Sequence, residues 1–133
     1  MPNTQDAVIK LLTPVDDGTP FTIDVLPLAA GFDVIADVEI GANLVQPTAQ
    51  QMLHVAVVNL TSATQVQLRD VTVPVGQFTP GQPFTGTIKV DFDPVSNGGA
   101  VSGDVLQAVA SYKVISNSIT DVSTARSVTF VVE

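Results

Sequence analysis

The sequence contains no cysteine and no tryptophan, and only one histidine and one tyrosine. Without cysteine, disulfides and thiolate nucleophiles are excluded, and the redox compartment leaves no mark on the chain. Without tryptophan, and with Tyr112 assigned below to a core face, no aromatic platform exists on which a sugar ring would stack. Positive charge is almost as scarce. Lys10, Arg69, Lys89, Lys113 and Arg126 are the five basic residues, against 13 acidic ones, giving a formal net charge of −8. Nucleic-acid binding needs basic side chains gathered into a patch that neutralises phosphates, and these five cannot form one. An anionic membrane surface is excluded on the same ground. No apolar run approaches the roughly 18 residues of a membrane-spanning helix. Met1 to Asp6 is polar and acidic, unlike a secretory leader. The expectation is a chain made in the cytosol without a signal peptide, or a domain cut at Met1 from a longer one.

What remains is rich in Val, Ala, Leu, Ile and Thr. At 133 residues and 45% hydrophobic, the chain reads as one domain over residues 1–133 with a core of its own. Nine glycines and nine prolines favour strands joined by turns. The longest strand signal is Gly103 to Ile115. There Leu106, Ala108, Ala110, Tyr112 and Val114 share one face, so the strand should be central and paired on both sides. Phe32 to Ile40 places Phe32, Val34, Ala36, Val38 and Ile40 inward, and Asp33, Asp37 and Glu39 toward water. Phe84 to Asp93 sends Phe84, Gly86, Ile88, Val90 and Phe92 inward. Met52 to Leu60 is apolar almost throughout and predicts a strand covered on both faces. In Thr64 to Val73 the apolar phase changes at Arg69-Asp70, which predicts a β-bulge or bend there.

The borders are less regular. Ala7 to Leu12, ended by Thr13-Pro14, and Phe21 to Val25, bracketed by Pro20 and Pro27, read as a split first strand reaching both sheets. The bracketing prolines mark the second piece as an edge. Gly41 to Gln50, Pro74 to Pro83 and Pro94 to Ser102 read as loops, the last as a flexible one. Ser116 to Ser123 is a polar connection, and Ala125 to Val132 closes the chain.

About 7–8 strands with frequent turns predict an all-β fold, a single antiparallel β-sandwich. The strand Phe84 to Phe92, Asp104 leading into Leu106 and Ala108, and the closing strand resemble the last strands of immunoglobulin-like or fibronectin-like domains. The resemblance covers about the last 50 residues and implies fold alone. Leu106 stands where such domains carry the corner tyrosine and Ala108 where they carry the second cysteine.

Chemistry-bearing groups are few. His54 lies in an apolar strand with no Gly-x-Ser-x-Gly elbow anywhere, so a partly buried structural histidine is expected rather than a triad member. A glycosidase needs two carboxyls facing one cleft, whereas Glu39 lies on a strand face and Glu133 at the terminus. Asn59-Leu60-Thr61 matches a glycosylation sequon. The best metal candidate is the loop Asp91 to Gly98, where Asp91, Asp93 and Asn97 offer hard oxygens suited to calcium. It lacks the closing glutamate of an EF-hand. No other cofactor is implied, and no small-molecule substrate is evident.

The chain is therefore expected to be no enzyme. The leading expectation is a structural subunit that self-associates or docks on a larger lattice, such as a virion component decorating a capsid. Its partners would be other protein subunits, including copies of itself. Strand addition would occur at Phe21 to Leu28 or Ala125 to Val132, with Phe21, Ile23, Val25 and Val131 as contact residues. The alternative is an immunoglobulin-like adhesion or spacer module of a secreted or cell-surface protein.

Overall fold

A computed structural model describes residues 6–42, 44, 50–75, 79–116 and 119–133. Its strands are β1 (Ala7–Asp16), β2 (Val25–Leu26), β3 (Phe32–Ile40), β4 (Gln50–Asn59) and β5 (Thr64–Pro74), followed by β6 (Phe84–Phe92), β7 (Val105–Ser116), β8 (Ile119–Arg126) and β9 (Phe130–Val132). One sheet has the order β1-β3-β6; the other has β2-β9-β7-β4-β5, with β8 also paired to β7. All pairings are antiparallel except the short parallel contact of β2 with β9. The fold is the all-β sandwich that the alternating strands predict.

β7 holds the larger sheet together. It pairs with β4 along one side and with β8 and β9 in succession along the other. Leu106, Ala108, Ala110, Tyr112 and Val114 are all buried, and the Tyr112 hydroxyl donates to Gln51 Oε1 at 2.6 Å. In the smaller sheet β3 is the middle strand. Its Phe32 ring stacks on Phe92 of β6 at 5.2 Å and meets Phe130 of β9 edge-on at 5.8 Å. These aromatics join the two sheets at one end, called here the near pole. The far pole is marked by the Ala7–Ile40 pairing at the other end of β3.

Several expectations are corrected. β1 does not stop at Thr13-Pro14 but runs on to Asp16. It is an edge strand, where a proline's missing N–H costs no ladder bond, and the Pro14 carbonyl accepts from Ile23 N–H. The Phe21 to Val25 piece shrinks to a Val15–Thr22 bridge and the two residues of β2. The two pieces do reach different sheets.

β4 is covered on one face only: Leu53, Val55 and Val57 are buried, but His54 is exposed on the outer face. The bulge in β5 lies at Val66, between the pairs Val57–Gln67 and Val58–Gln65, rather than at Arg69-Asp70. Beyond it Leu68 is turned outward, while Val71 and Val73 pack on the core.

The polar connection Ser116 to Ser123 is mostly strand, since β8 begins at Ile119. Asp121 Oδ2 accepts from Ala7 N–H at 2.7 Å and Ser123 Oγ from Ile9 N–H at 3.3 Å. Side chains of β8 thus satisfy β1 backbone donors, and no apolar alternation is needed. The Pro94 to Ser102 loop is packed, with a 3-10 turn at Val95–Gly98 and buried Val95 and Ala100. Most of Gly41 to Gln50 lies outside the described residues, as do 76–78 of the Pro74 to Pro83 crossing.

Candidate functional site

Three carboxylates distant in sequence converge at the near pole. Asp17 sits in the turn after β1, Asp33 near the start of β3 and Asp91 near the end of β6. Asp33 and Asp91 are direct cross-strand partners. Each of the three offers an oxygen, and those oxygens lie within 4.8 Å of one another. Asp17 and Asp91 are exposed, whereas Asp33 has 0% of its surface accessible. The turn closes over it, and Gly18 N–H donates to Asp33 Oδ2 at 2.9 Å. Gly18 adopts φ +73°, a conformation that favours glycine. Lys89 Nζ lies 3.7 Å from the same oxygen. Asp33 Oδ1 is buried and, among the described residues, has no hydrogen-bond partner.

The outward face of β3 is therefore not the solvated acidic face that alternation alone suggests. Glu39 is also buried there, 3.6 Å from Lys10 Nζ.

Proximity sets the protonation of the pair. Burial pushes the Asp33 carboxyl up, but the Gly18 N–H, the hydrogen bond with Asp91 and the Lys89 charge together hold it below its ordinary value. Asp91 is held above its ordinary value by its hydrogen bond with Asp33 and by that neighbour's negative charge. Of the two, Asp33 is therefore the stronger acid and Asp91 the weaker.

The loop residues grouped by the sequence reading take separate roles. Asp91 joins Asp33 and Asp17. Asp93 instead accepts from Arg69 Nη2 at 2.8 Å, and its backbone N–H donates to Gln67 Oε1 at 3.1 Å. Arg69 also lies over the Phe92 ring, 5.8 Å from its centre. Asn97 is exposed in the 3-10 turn. Sequence reasoning did not select Asp17 or Asp33. The available signal was that Asp33 and Asp91 both occupy outward positions of strands that could pair.

Of the proposed contact residues, Phe21 is 69%, Val25 52% and Val131 40% exposed. Ile23 is buried, because its N–H bonds to Pro14 and its side chain enters the core. Val25 and Val131 are register partners across β2 and β9. Since β9 lies between β2 and β7, its own edges are already paired.

His54 has Asp70 on one side and Ser111 on the other in the sheet register. Its Nδ1 pairs with Asp70. This has the residue types of a catalytic triad, yet among the described residues no hydrogen bond joins Ser111 to His54. The backbone on either side is engaged in the β-ladders, which supplies no oxyanion hole.

The sequon residue Asn59 is buried. Its Nδ2 donates to Asp104 Oδ2 at 2.7 Å and its Oδ1 accepts from Thr61 and Ser62 N–H. Its amide is committed to the fold.

No family model matches the chain, and no curated protein matches it. Among solved structures, the chain is similar to a bacterial adhesin from Mobiluncus mulieris that contains disulfide, isopeptide and ester cross-links. The identity is 8%, with 97% of this chain and 58% of the adhesin covered, at a TM-score of 0.53. The chain thus spans less than two thirds of that protein, and the likeness shows a shared fold. A β-glucuronidase from Bacteroides uniformis matches at 10% identity and TM-score 0.48, over 91% of this chain and 14% of the enzyme. A CARDB domain from Pyrococcus furiosus matches at 13% identity and TM-score 0.43, over 100% of this chain and 98% of that domain. These last two likenesses are too loose to carry an argument. Among the described residues, no helix is long and apolar enough to cross a membrane.

Proposed function

We propose that the chain is a non-enzymatic, immunoglobulin-like adhesion or spacer module of a cell-surface or secreted protein. The observation that carries this is the path of the outer strands. β1 begins at the far pole, where Ala7 pairs with Ile40 and Gly41 N–H bonds to Asp6. β9 finishes at the near pole, where Val132 bonds to Gly103 and Glu133 N–H bonds to Leu26. The nine residues of β3 separate the poles by roughly 26 Å. A domain entered at one end and left at the other transmits position along a chain, as a spacer requires. The likeness in fold to a bacterial adhesin supports the same reading.

A virion or capsid role has no support from the similar structures, and β9 offers no free edge for strand addition. The surface for a protein partner is instead the exposed apolar pair Val25 and Val131, with Phe21 as a further contact.

Single-molecule stretching of a tandem array of the domain tests the spacer reading. Equal unfolding peaks are expected, each adding roughly 400 Å of contour length. An array that collapses into aggregates, or a purified domain with robust hydrolase turnover that is lost in Ser111→Ala, would overturn it.

A further inference from the structure

We propose that Asp17, Asp33 and Asp91 form a site for a single divalent cation, with calcium as its preferred ion. The cluster alone would not carry this, since exposed acids commonly gather without a ligand. The additional observation is Asp33 Oδ1. It belongs to a side chain with no accessible surface, yet among the described residues it has no hydrogen-bond partner. Leaving a buried charged acceptor unsatisfied is costly, and a cation between the three carboxylates would satisfy it.

The geometry fits one ion. Calcium binds oxygens at about 2.3–2.6 Å, so ligands on opposite sides of it stand up to roughly 5 Å apart. The three carboxylate oxygens lie within 4.8 Å of one another. The charge fits as well. Three carboxylates and the Lys89 ammonium sum to −2, the complement of a divalent ion. Asp17 and Asp91 are exposed, leaving one side of the site open to water. Calcium tolerates such irregular, partly hydrated coordination, while magnesium demands near-ideal octahedral geometry. All the ligands are hard oxygens, which disfavours softer transition metals.

The site ties three segments together: the turn after β1, the central strand of the smaller sheet and its edge strand β6. An ion there would lock the near pole. The inference is independent of the spacer reading, which stands or falls on the path of the chain.

Calorimetric titration of the full 133-residue chain with calcium chloride, and with magnesium chloride for comparison, tests it. Saturable binding of one calcium is expected, with a dissociation constant of about 0.1–1 mM, the range of extracellular modules, and weaker binding of magnesium. Asp17→Asn and Asp91→Asn change exposed positions and should fold, which circular dichroism checks; each should weaken calcium at least about tenfold. Lys89→Gln, which removes the competing ammonium, should bind more tightly. Absence of saturable calcium binding, or unchanged affinity in both Asp17→Asn and Asp91→Asn, overturns the proposal.

Discussion

Asp33 and Asp91 face each other across β3 and β6 with opposite displacements of their acidities, and the sign of each fixes a pH dependence. Asp33 is lowered, so its contribution to stability is present above its unfolded value and is lost as pH falls through the folded one. Asp91 is raised, so its contribution is present below its unfolded value and is lost as pH rises through the folded one. Asp91→Asn removes one of two adjacent negative charges and leaves an amide that can donate to Asp33. In buffer freed of divalent ions, the variant should melt at a higher temperature than the parent at pH 7. It should also lose the decline in stability above Asp91's raised value; thermal melts across pH check both. At Tyr112, burial pushes the phenol far above its ordinary value, so no alkaline loss of the fold is expected from it in the physiological range. Tyr112→Phe leaves Gln51 Oε1 without its buried donor. The expected cost is about 1–2 kcal/mol by urea denaturation.

Elements differ in how plainly the sequence announces them. β3, β6 and β7 could be read directly, because each keeps apolar residues on alternate positions against a continuous core. β8 could not. The positions that alternation would fill with valine or leucine hold Asp121 and Ser123, whose oxygens accept β1 N–H groups. A strand that satisfies its neighbour through side-chain oxygens carries no hydrophobic period, so it resembles a loop. β5 was legible as a strand but not in phase, because the unpaired Val66 shifts its register. Asp121→Ala should cost about 1 kcal/mol and leave Ala7 N–H open to solvent. Hydrogen exchange at Ala7 should then accelerate more than at β3 amides, and equal acceleration throughout would refute this role. The candidate cation site was illegible for a different reason. Residues 17, 33 and 91 become neighbours only after the β3–β6 pairing and the closing turn are known.

At the scale of the whole molecule, a net charge of −8 acts against compaction. Raising sodium chloride from about 10 mM to 1 M shortens the screening length from roughly 30 to 3 Å. The melting temperature should rise with salt, and a calcium response must exceed this effect at matched ionic strength. The two long seams between the sheets also differ. Along β1 and β8 the seam is laced by Asp121 and Ser123. Along β5 and β6 it is clasped near one pole by Arg69, Gln67 and Asp93. Further along it widens into a hollow of about 340 Å³ lined by residues including Gln51, Val71, Val73, Phe84 and Ile88. The molecule is thus a book with a stitched spine and a latch on its open side. Breathing should begin at the fore-edge: β5 and β6 amides around Val73 and Phe84 are expected to exchange before those of β1, and Arg69→Ala, which lifts the latch, should widen that lead.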